Sequence, residues 1–553
     1  MSTPVLYDEA SGVYKTDYKY DGPTNCSFYD RVLGDVGWEE NAPLYTECNT
    51  KRRTLTNSAL KIQAQQLGVG LIKKVGLKPG DVIMMVSGNT IEFPIILLAA
   101  AFAGLKIALA NPAYLPHELK HVISVTKPIK IFIKTPLLKN LVAAKVPWHQ
   151  LITIDTEMGL GGSLYMKNLM VSPEEAKQAK AYQPKDFNET QFLPFSSGTT
   201  GLPKSVEVTQ RNLVAMMDSI MHIPNSINTT KKFLAILPFY HAFALLMNVL
   251  IPVIARAQVW IISPPFNPIK YCEIVEKEKI DCLCVVPPLF IALVNCPQAN
   301  EKTFASVKFV ITGAAPLDAD TQWKLINKAK VDVRSGWGMT ETTVGGLGMH
   351  ADFKIGTCGK PLPGIEAKCV DIETGQPVKR FERGELWVRG PNIVKGYFQN
   401  EQANKDTFTE DRWLKTGDVA MVDDQGNFSI VDRIKELIKV KGYQVAPAEL
   451  EGLLLTHPQV ASAAVIGIYD KEVGTEWPRA YIELKGGRKE KSKEEEIAKD
   501  ITSFIKKKTS PQKQLKGGVR FLDKIPASPS GKLLRKDLRA LVKQEEASLS
   551  AKL

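Results

Sequence analysis

Short apolar runs recur at 81–87, 129–134, 151–155, 233–237, 259–263, 282–286 and 307–312. Each has the length of a buried strand, and the segments between them are long enough for crossover helices. That alternation specifies parallel sheets with helices on both faces. After Cys358 the texture changes. Residues 364–432 alternate polar and apolar side chains between turn signals such as Glu373-Thr-Gly and Asp423-Asp-Gln-Gly-Asn, which predicts antiparallel strands and hairpins. A small αβ unit is expected from about residue 433, with its charged segment 486–499 entering a helix.

With 553 residues, 44% of them hydrophobic and 24% charged, the chain can bury several cores, which excludes wholesale disorder. The eight cysteines form no CxxC pair, so a disulfide scaffold or zinc ribbon is not expected and a reducing compartment is. The net charge of +12 is uneven: residues 434–553 hold 24 basic and 16 acidic side chains. Lys506, Lys507, Lys508, Lys513, Lys516 and Arg520 follow one another without an acid. Such a patch suits a polyanion or a phosphorylated cofactor, and equally a solvated helix face. The apolar runs 93–105 and 242–255 are too short or too interrupted for membrane spans and read as buried helices. No secretory signal is evident at Met1. The tail Ala551-Lys552-Leu553 differs by one small residue from the Ser-Lys-Leu peroxisomal address.

The densest local signal is Phe195-Ser196-Ser197-Gly198-Thr199-Thr200-Gly201-Leu202-Pro203-Lys204. Glycines let backbone N–H groups crowd onto phosphate oxygens, hydroxyls add donors, and Lys204 adds charge. It is not a Walker A loop, because Pro203 stands where that motif needs glycine. A Ser/Gly-rich surface loop is the competing reading. His117-Glu118-Leu119-Lys120-His121 fits the HExxH zinc pattern, but without a further ligand motif it reads as an exposed helix face, and zinc is rejected.

Other candidates are scattered. His241 follows a strand among aromatics, as a packed or a ligand-facing imidazole. In Gly336-Trp337-Gly338-Met339-Thr340-Glu341-Thr342 a carboxylate lies beside hydroxyls, fit for a hydrated Mg²⁺ or for a helix cap. Asp418, in Thr416-Gly417-Asp418, can accept ribose hydroxyls or close a turn. A basic loop runs through Arg433, Lys435, Lys439, Lys441, Gly442 and Gln444. Ser528-Pro529-Ser530-Gly531-Lys532 sets one lysine at the tip of a tight turn, where it can reach another domain.

Taken in this order, the segments resemble the adenylate-forming superfamily, specifically the acyl-CoA ligases near 4-coumarate–CoA ligase and beetle luciferase, over about residues 40–540. The resemblance implies an α/β protein: a large N-terminal domain (1–432) of two αβ sheet subdomains plus a distorted β-barrel, and a small mobile α+β C-terminal domain (433–550). The implied hinge falls at 432–435, with Lys435 at the hinge position, and 551–553 is expected to be a peroxisomal targeting tail.

The implied reaction joins a carboxylate to ATP as acyl-adenylate, then passes the acyl group to coenzyme A. By the same resemblance Lys532 bridges the carboxylate and the α-phosphate, Glu341 holds Mg²⁺, and Ser196, Ser197, Gly198, Thr199, Thr200, Gly201 and Lys204 embrace the β- and γ-phosphates. Trp337 lies against adenine beside Gly338, Met339 and Thr340, while Asp418 and Arg433 take the ribose. His241 lines the carboxylate pocket. Rotation of the small domain withdraws Lys532 and presents Lys439 and Gln444 for thioester formation and nucleotide contact, with Lys441 and Gly442 toward coenzyme A.

Ser205, Gln210 and Ala527 depart from the common pattern without touching this chemistry. Ala242, Phe243, Leu246, Ile311, Gly313 and Ala314 occupy pocket positions, and their apolar wall points to a fatty or aryl-alkanoic acid. The expected partners are that small acid and the peroxisomal import receptor, with no nucleic acid and no transmembrane segment, in the peroxisomal matrix. A luciferase-like oxygenase and a basic nucleic-acid-binding protein are the alternatives; the second lacks aromatics interleaved with its lysines.

Overall fold

The computed structural model describes residues 4–550 other than 19, 21, 35–38, 40, 49–51, 158–160, 197–202, 264, 349, 442, 471–472 and 529–531. All the strands expected from the apolar runs are present, each shifted or shortened by a residue or two. They belong to two eight-stranded sheets.

In the first sheet, Thr190–Ser196, Lys106–Ala110, Val82–Val86, Lys130–Ile133, Leu151–Thr153 and Leu164–Tyr165 run parallel. Lys204–Thr209 and then Gly396–Tyr397 extend it antiparallel at one edge. In the second, Asp332–Trp337, Phe309–Thr312, Cys282–Val285, Lys232–Ala235, Gln258–Ile261 and Pro43–Glu47 run parallel, with antiparallel strands Leu347–Gly348 and Thr54–Thr56 at the two edges. Parallel strands bring their carboxyl ends to one rim, where ligand-binding loops of open α/β sheets gather. The hydroxyl-rich loop, His241 and the Trp337–Thr342 turn all follow such ends.

The third sheet is antiparallel, as the alternation after Cys358 predicts, and stands where the distorted barrel is expected, with no pairing between its two edge strands among the described residues. Its order is Val5–Asp8, Val13–Thr16, Glu366–Val370, Gly384–Arg389, Leu414–Val422 and Phe428–Arg433. The N-terminal hairpin joins it through a Tyr14–Ala367 pairing.

Residues 93–105 form a core helix, Glu92–Phe102, that is buried on every side. The 242–255 run is also buried, but it is not one regular helix. A short turn at Ala242–Ala244 passes into a wide π-type turn at Leu245–Leu250 and then into Ile251–Ala255. Pro252 has no N–H to give to the preceding turn, which favours this widening, and the Tyr45 hydroxyl donates to the Val249 carbonyl at 2.5 Å. Among the described residues no helix is long and apolar enough to cross a membrane.

The main hydrophobic core draws its residues from Tyr14 to Phe428, and a second core from Ile438 to Val519. The second contains the antiparallel pair Val460–Asp470 and Thr475–Leu484, extended in parallel by Gly518–Phe521. Helix Lys491–Lys508 packs on it through Ile497, Ile501 and Ile505, spaced one turn apart. Lys506, Lys507 and Lys508 occupy the last turn of that helix, where positive charge opposes the helix dipole favourably. Val419, Leu437 and Ala446 form a small cluster that joins the two cores beside residues 432–435.

Candidate active site

Ser196 and Lys204 are cross-strand partners at the tip of the Thr190–Ser196/Lys204–Thr209 hairpin. Ser197, Gly198, Thr199, Thr200 and Gly201 between them lie outside the described residues. In the HExxH segment, His121 serves this hairpin and Glu118 serves its own helix. Glu118 accepts from the Leu115 backbone N–H at 2.8 Å, capping its own helix, and His121 Nε2 lies 3.0 Å from the Pro203 carbonyl oxygen.

Strand Asp332–Trp337 runs into the signature turn. A Cβ on Gly338 would sit 1.5 Å from the Val344 carbonyl oxygen, so only glycine fits there. Met339 and the single turn Thr340–Thr342 follow, then Thr343 and Val344 take left-handed backbone angles, φ +49° and +89°. That unfavourable stretch is clamped by Asn392, whose amide donates to the Thr342 and Gly345 carbonyls at 2.8 Å each, while the Thr343 hydroxyl donates to Asn392 O at 2.7 Å. Glu341 is thereby fixed in the interior, 2% exposed, and its Oε1 accepts the Tyr397 hydroxyl at 2.8 Å. The Lys204 ammonium lies 4.9 Å from the centroid of the same Tyr397 ring.

Asp418 is buried and held from both sides. Its Oδ2 accepts the Trp337 indole N–H at 2.8 Å, and its Oδ1 pairs with Arg433 Nε at 3.0 Å. Arg433 is also its cross-strand partner. The Trp337 ring lies against Gly346, where a Cβ would approach it to 2.5 Å.

His241 ends the loop after strand Lys232–Ala235. The turn before it is set by Asn89, whose side chain accepts from the Phe239 N–H and donates to the Leu237 carbonyl, both at 2.9 Å. Burial, then the positive charge of Lys532, lowers the His241 pKa to about 4, so the imidazole is neutral at neutral pH. Its Nε2 is buried without a hydrogen-bond partner among the described residues.

Lys532 arrives from the small domain. Its N–H donates to Ser528 Oγ at 3.1 Å, and its carbonyl accepts the Ser528 N–H at 2.8 Å, closing the tight turn. Burial and the neighbouring Arg433 charge lower its pKa to about 8, against the opposing fields of Asp418, Glu341 and Glu436. One ammonium thus feels residues that are separated from it by about a hundred to nearly three hundred positions in the chain.

Lys439, Lys441 and Gln444 are not gathered into this cluster. Lys439 and Gln444 pair across the small hairpin Ile438–Val440/Tyr443–Val445, and all three are exposed. The Lys439 N–H donates to Glu476 Oε2 and the Lys441 N–H to Thr475 Oγ1, both at 2.7 Å, which ties them to the second core. Gln444, expected among the nucleotide-binding residues, stands apart from them in this orientation of the small domain. Gly442 lies outside the described residues. Lys435 is exposed on the turn Ile434–Glu436.

Of the expected pocket residues, Ala242 and Leu246 line a narrow apolar crevice next to Thr340. Phe192, Pro194, Val208, Leu213 and Val344 complete much of its wall and were not foreseen, because their side chains meet only in the fold. Phe243 is half-buried against the main core, Ile311 is part of that core, Gly313 abuts the Gly336 carbonyl, and Ala314 is exposed with φ +71°. None of these four lines the crevice.

The AMP-binding enzyme family model matches residues 38–398, and the AMP-binding enzyme C-terminal domain model matches 449–532. The chain is 35% identical over 479 residues to the peroxisomal OPC-8:0-CoA ligase 1 of Arabidopsis thaliana, covering 84% of this chain and 85% of that protein. It is 33% identical over 515 residues to the luciferin 4-monooxygenase of Photuris pensylvanica, covering 91% and 92%. The fold matches that of the anthranilate CoA ligase AuaEII in complex with anthranoyl-AMP, with a TM-score of 0.82 at 21% identity over 94% of this chain and 98% of that one. With matches spanning both of its cores, the chain belongs to the AMP-binding enzyme family, as an acid–thiol ligase of the adenylate-forming superfamily close to the 4-coumarate–CoA ligase-like enzymes.

Proposed function

We propose that this enzyme activates a hydrophobic carboxylic acid with ATP and transfers the acyl group to coenzyme A. The observation that carries the reading is the charge field around Lys532, which reaches Asp418, Glu341, Arg433 and His241 at once. In the first half, a carboxylate oxygen attacks the α-phosphorus of ATP. The new O–P bond forms as the bond to the pyrophosphate oxygen breaks, giving acyl-adenylate and pyrophosphate. Two anions must approach, and a partly buried ammonium offsets their repulsion far better than an exposed one. Ser196, Lys204 and the loop between them take the terminal phosphates. Asp418 accepts from the ribose hydroxyls with Arg433 beside it, and Trp337, Gly338, Met339 and Thr340 flank the base and sugar.

Neutral His241 borders the carboxylate pocket without adding charge to it. Glu341 suits Mg²⁺, because it is a fixed, buried hard-oxygen donor with one oxygen held by the Tyr397 hydroxyl. A cation held by one carboxylate takes its other ligands from nucleotide phosphates and water, and Mg²⁺ so bound neutralises phosphate charge.

In the second half the thiol of coenzyme A displaces AMP from the acyl carbonyl, forming a C–S bond as the C–O bond to AMP breaks. Rotation at 432–435 about Lys435 withdraws Lys532 and brings in Lys439 and Gln444, with Lys441 and Gly442 toward coenzyme A. The apolar crevice beside Thr340, lined by Ala242 and Leu246, supports a hydrophobic acyl group. The similarity to a relative named as peroxisomal, and the tail 551–553 read as an address for the import receptor, support a peroxisomal location. A fluorescent fusion that stays peroxisomal without 551–553 overturns that last point.

A panel of octanoate, decanoate, cinnamate and 4-coumarate, read as pyrophosphate release with and without coenzyme A, tests the whole reading. Release with the aliphatic or unsubstituted acids, and thioester only when coenzyme A is present, is the expected result. Turnover of 4-coumarate alone refutes the apolar pocket, and no release with any acid refutes the activity.

A further inference from the structure

Tyr397 belongs to none of the motifs that carry the chemistry, yet it joins two of them. It sits on the edge strand Gly396–Tyr397, paired with Val206 of the strand that begins at Lys204. Its backbone is fixed by Asn404, which accepts the Tyr397 N–H at 2.6 Å and returns its own amide N–H to the Tyr397 carbonyl at 3.2 Å. The same segment holds the Glu341 backbone, since the Val394 N–H donates to the Glu341 carbonyl at 3.1 Å. From this braced position the buried phenol donates to Glu341 Oε1, and the ring face receives the Lys204 ammonium.

We propose that Tyr397 is a positioning residue that sets both the carboxylate and the ammonium of the nucleotide site. Its O–H commits one oxygen of Glu341 and leaves Oε2 to meet a cation, while its ring holds Lys204 at the mouth of the hydroxyl-rich loop. The two halves of the residue do separable jobs. The hydroxyl governs affinity for the metal, and the ring governs affinity for the phosphates. A hydrogen-bond partner behind a metal ligand is typically worth about 10- to 100-fold in metal affinity. The inference rests on the reading of Glu341 and Lys204 as ligands of Mg²⁺ and of phosphate.

Calorimetric titration of the full chain with ATP, at a series of Mg²⁺ concentrations, separates these roles without any turnover. In Tyr397→Phe the ring remains and the hydroxyl is lost. The Mg²⁺ concentration that half-saturates tight ATP binding should rise about tenfold, with AMP affinity unchanged. Tyr397→Leu should add a loss of ATP affinity in the absence of Mg²⁺. Adding Tyr397→Phe to Glu341→Gln should change nothing further, because the hydroxyl then has no carboxylate to orient.

If Tyr397→Phe matches the wild type while Glu341→Gln shifts the Mg²⁺ dependence, the proposal fails and the reading of Glu341 stands. If Glu341→Gln leaves the Mg²⁺ dependence unmoved, the reading of Glu341 fails and the proposal with it. Parallel loss of AMP and ATP binding in Tyr397→Phe, or an additive effect on Glu341→Gln, also overturns the positioning role in favour of a merely structural one.

Discussion

Burial and the Arg433 charge bring the Lys532 pKa down to about 8, within the range where enzymes work. The charged form, which adenylation requires, predominates below that value and is lost as pH rises through it. The kcat/KM for pyrophosphate release should therefore fall above about pH 8, since that ratio reports the free enzyme's ionisations. Lys532→Arg keeps a cation that cannot be deprotonated, so it should lose this alkaline limb even though its rate is lower. An unchanged limb in Lys532→Arg assigns the ionisation elsewhere.

A second prediction concerns Trp337, whose indole N–H holds Asp418. Trp337→Phe keeps an aromatic face but removes that donor. A hydrogen bond to a charged group is worth roughly 1.5–3 kcal/mol, so the preference for ATP over 2′-deoxy-ATP should shrink by about tenfold. Equal losses for both nucleotides would place the indole's role at the base instead. The aromatic position and the acid were each legible in short motifs, because several unusual residue types stand together there. The bond between them was not, since nothing local connects position 337 to 418. Tyr397, Asn392 and Asn89 escaped notice for the same reason: each is one polar residue whose partner is supplied only by the fold.

Among the elements, the pattern of apolar runs gave seven parallel strands to within a residue or two, because a strand buried on both faces leaves a continuous apolar run, but it missed Pro43–Glu47, Lys106–Ala110, Leu164–Tyr165, Thr190–Ser196 and Asp332–Trp337. It could not foresee the N-terminal hairpin Val5–Asp8/Val13–Thr16, whose sheet partner, Ala367, is over 350 residues away. Nor could it distinguish one helix from the broken path through Ala242, Leu246 and Pro252. That path matters, since wide π turns recur at functional sites, and this one lines the apolar crevice beside Thr340. Leu246 is 1% exposed, so Leu246→Ala opens space there and should cost about 2–5 kcal/mol of stability. Its specificity, read as kcat/KM across straight-chain acids, should move toward longer chains by about tenfold per methylene accommodated. Leu246→Trp should move it the other way. A specificity profile indifferent to both changes removes the crevice from the acyl path.

At the scale of the whole molecule, Val419, Leu437 and Ala446 cluster where the two cores meet, and Lys532 reaches across from the small domain into the buried cluster. The exposed Lys435, proposed as the hinge, lies beside that apolar cluster. The positive excess of the last 120 residues marks the small domain in the sequence, but its uses were not readable from composition. Lys506–Lys508 end a helix, Lys513 pairs with Glu449, and Lys516 lies 4.3 Å from the Trp477 ring centroid, whereas Lys532 enters the buried cluster.

On the proposed mechanism, Lys532 inside and Lys439 outside is one arrangement of two, since a lysine seated over the adenylate would block the thiol's approach. The two half-reactions should accordingly separate by residue. Lys532→Ala should lose about 100- to 1000-fold in adenylate formation yet convert supplied acyl-adenylate to thioester at close to the normal rate. Lys439→Ala should form adenylate normally and transfer it slowly. The measurement is pyrophosphate release against thioester formation from synthetic acyl-adenylate, for each variant. Because removing either lysine leaves the other's surface intact, damage confined to opposite halves is the outcome expected of two poses of the small domain. Equal damage to both halves in each variant would mean that a single arrangement serves both steps.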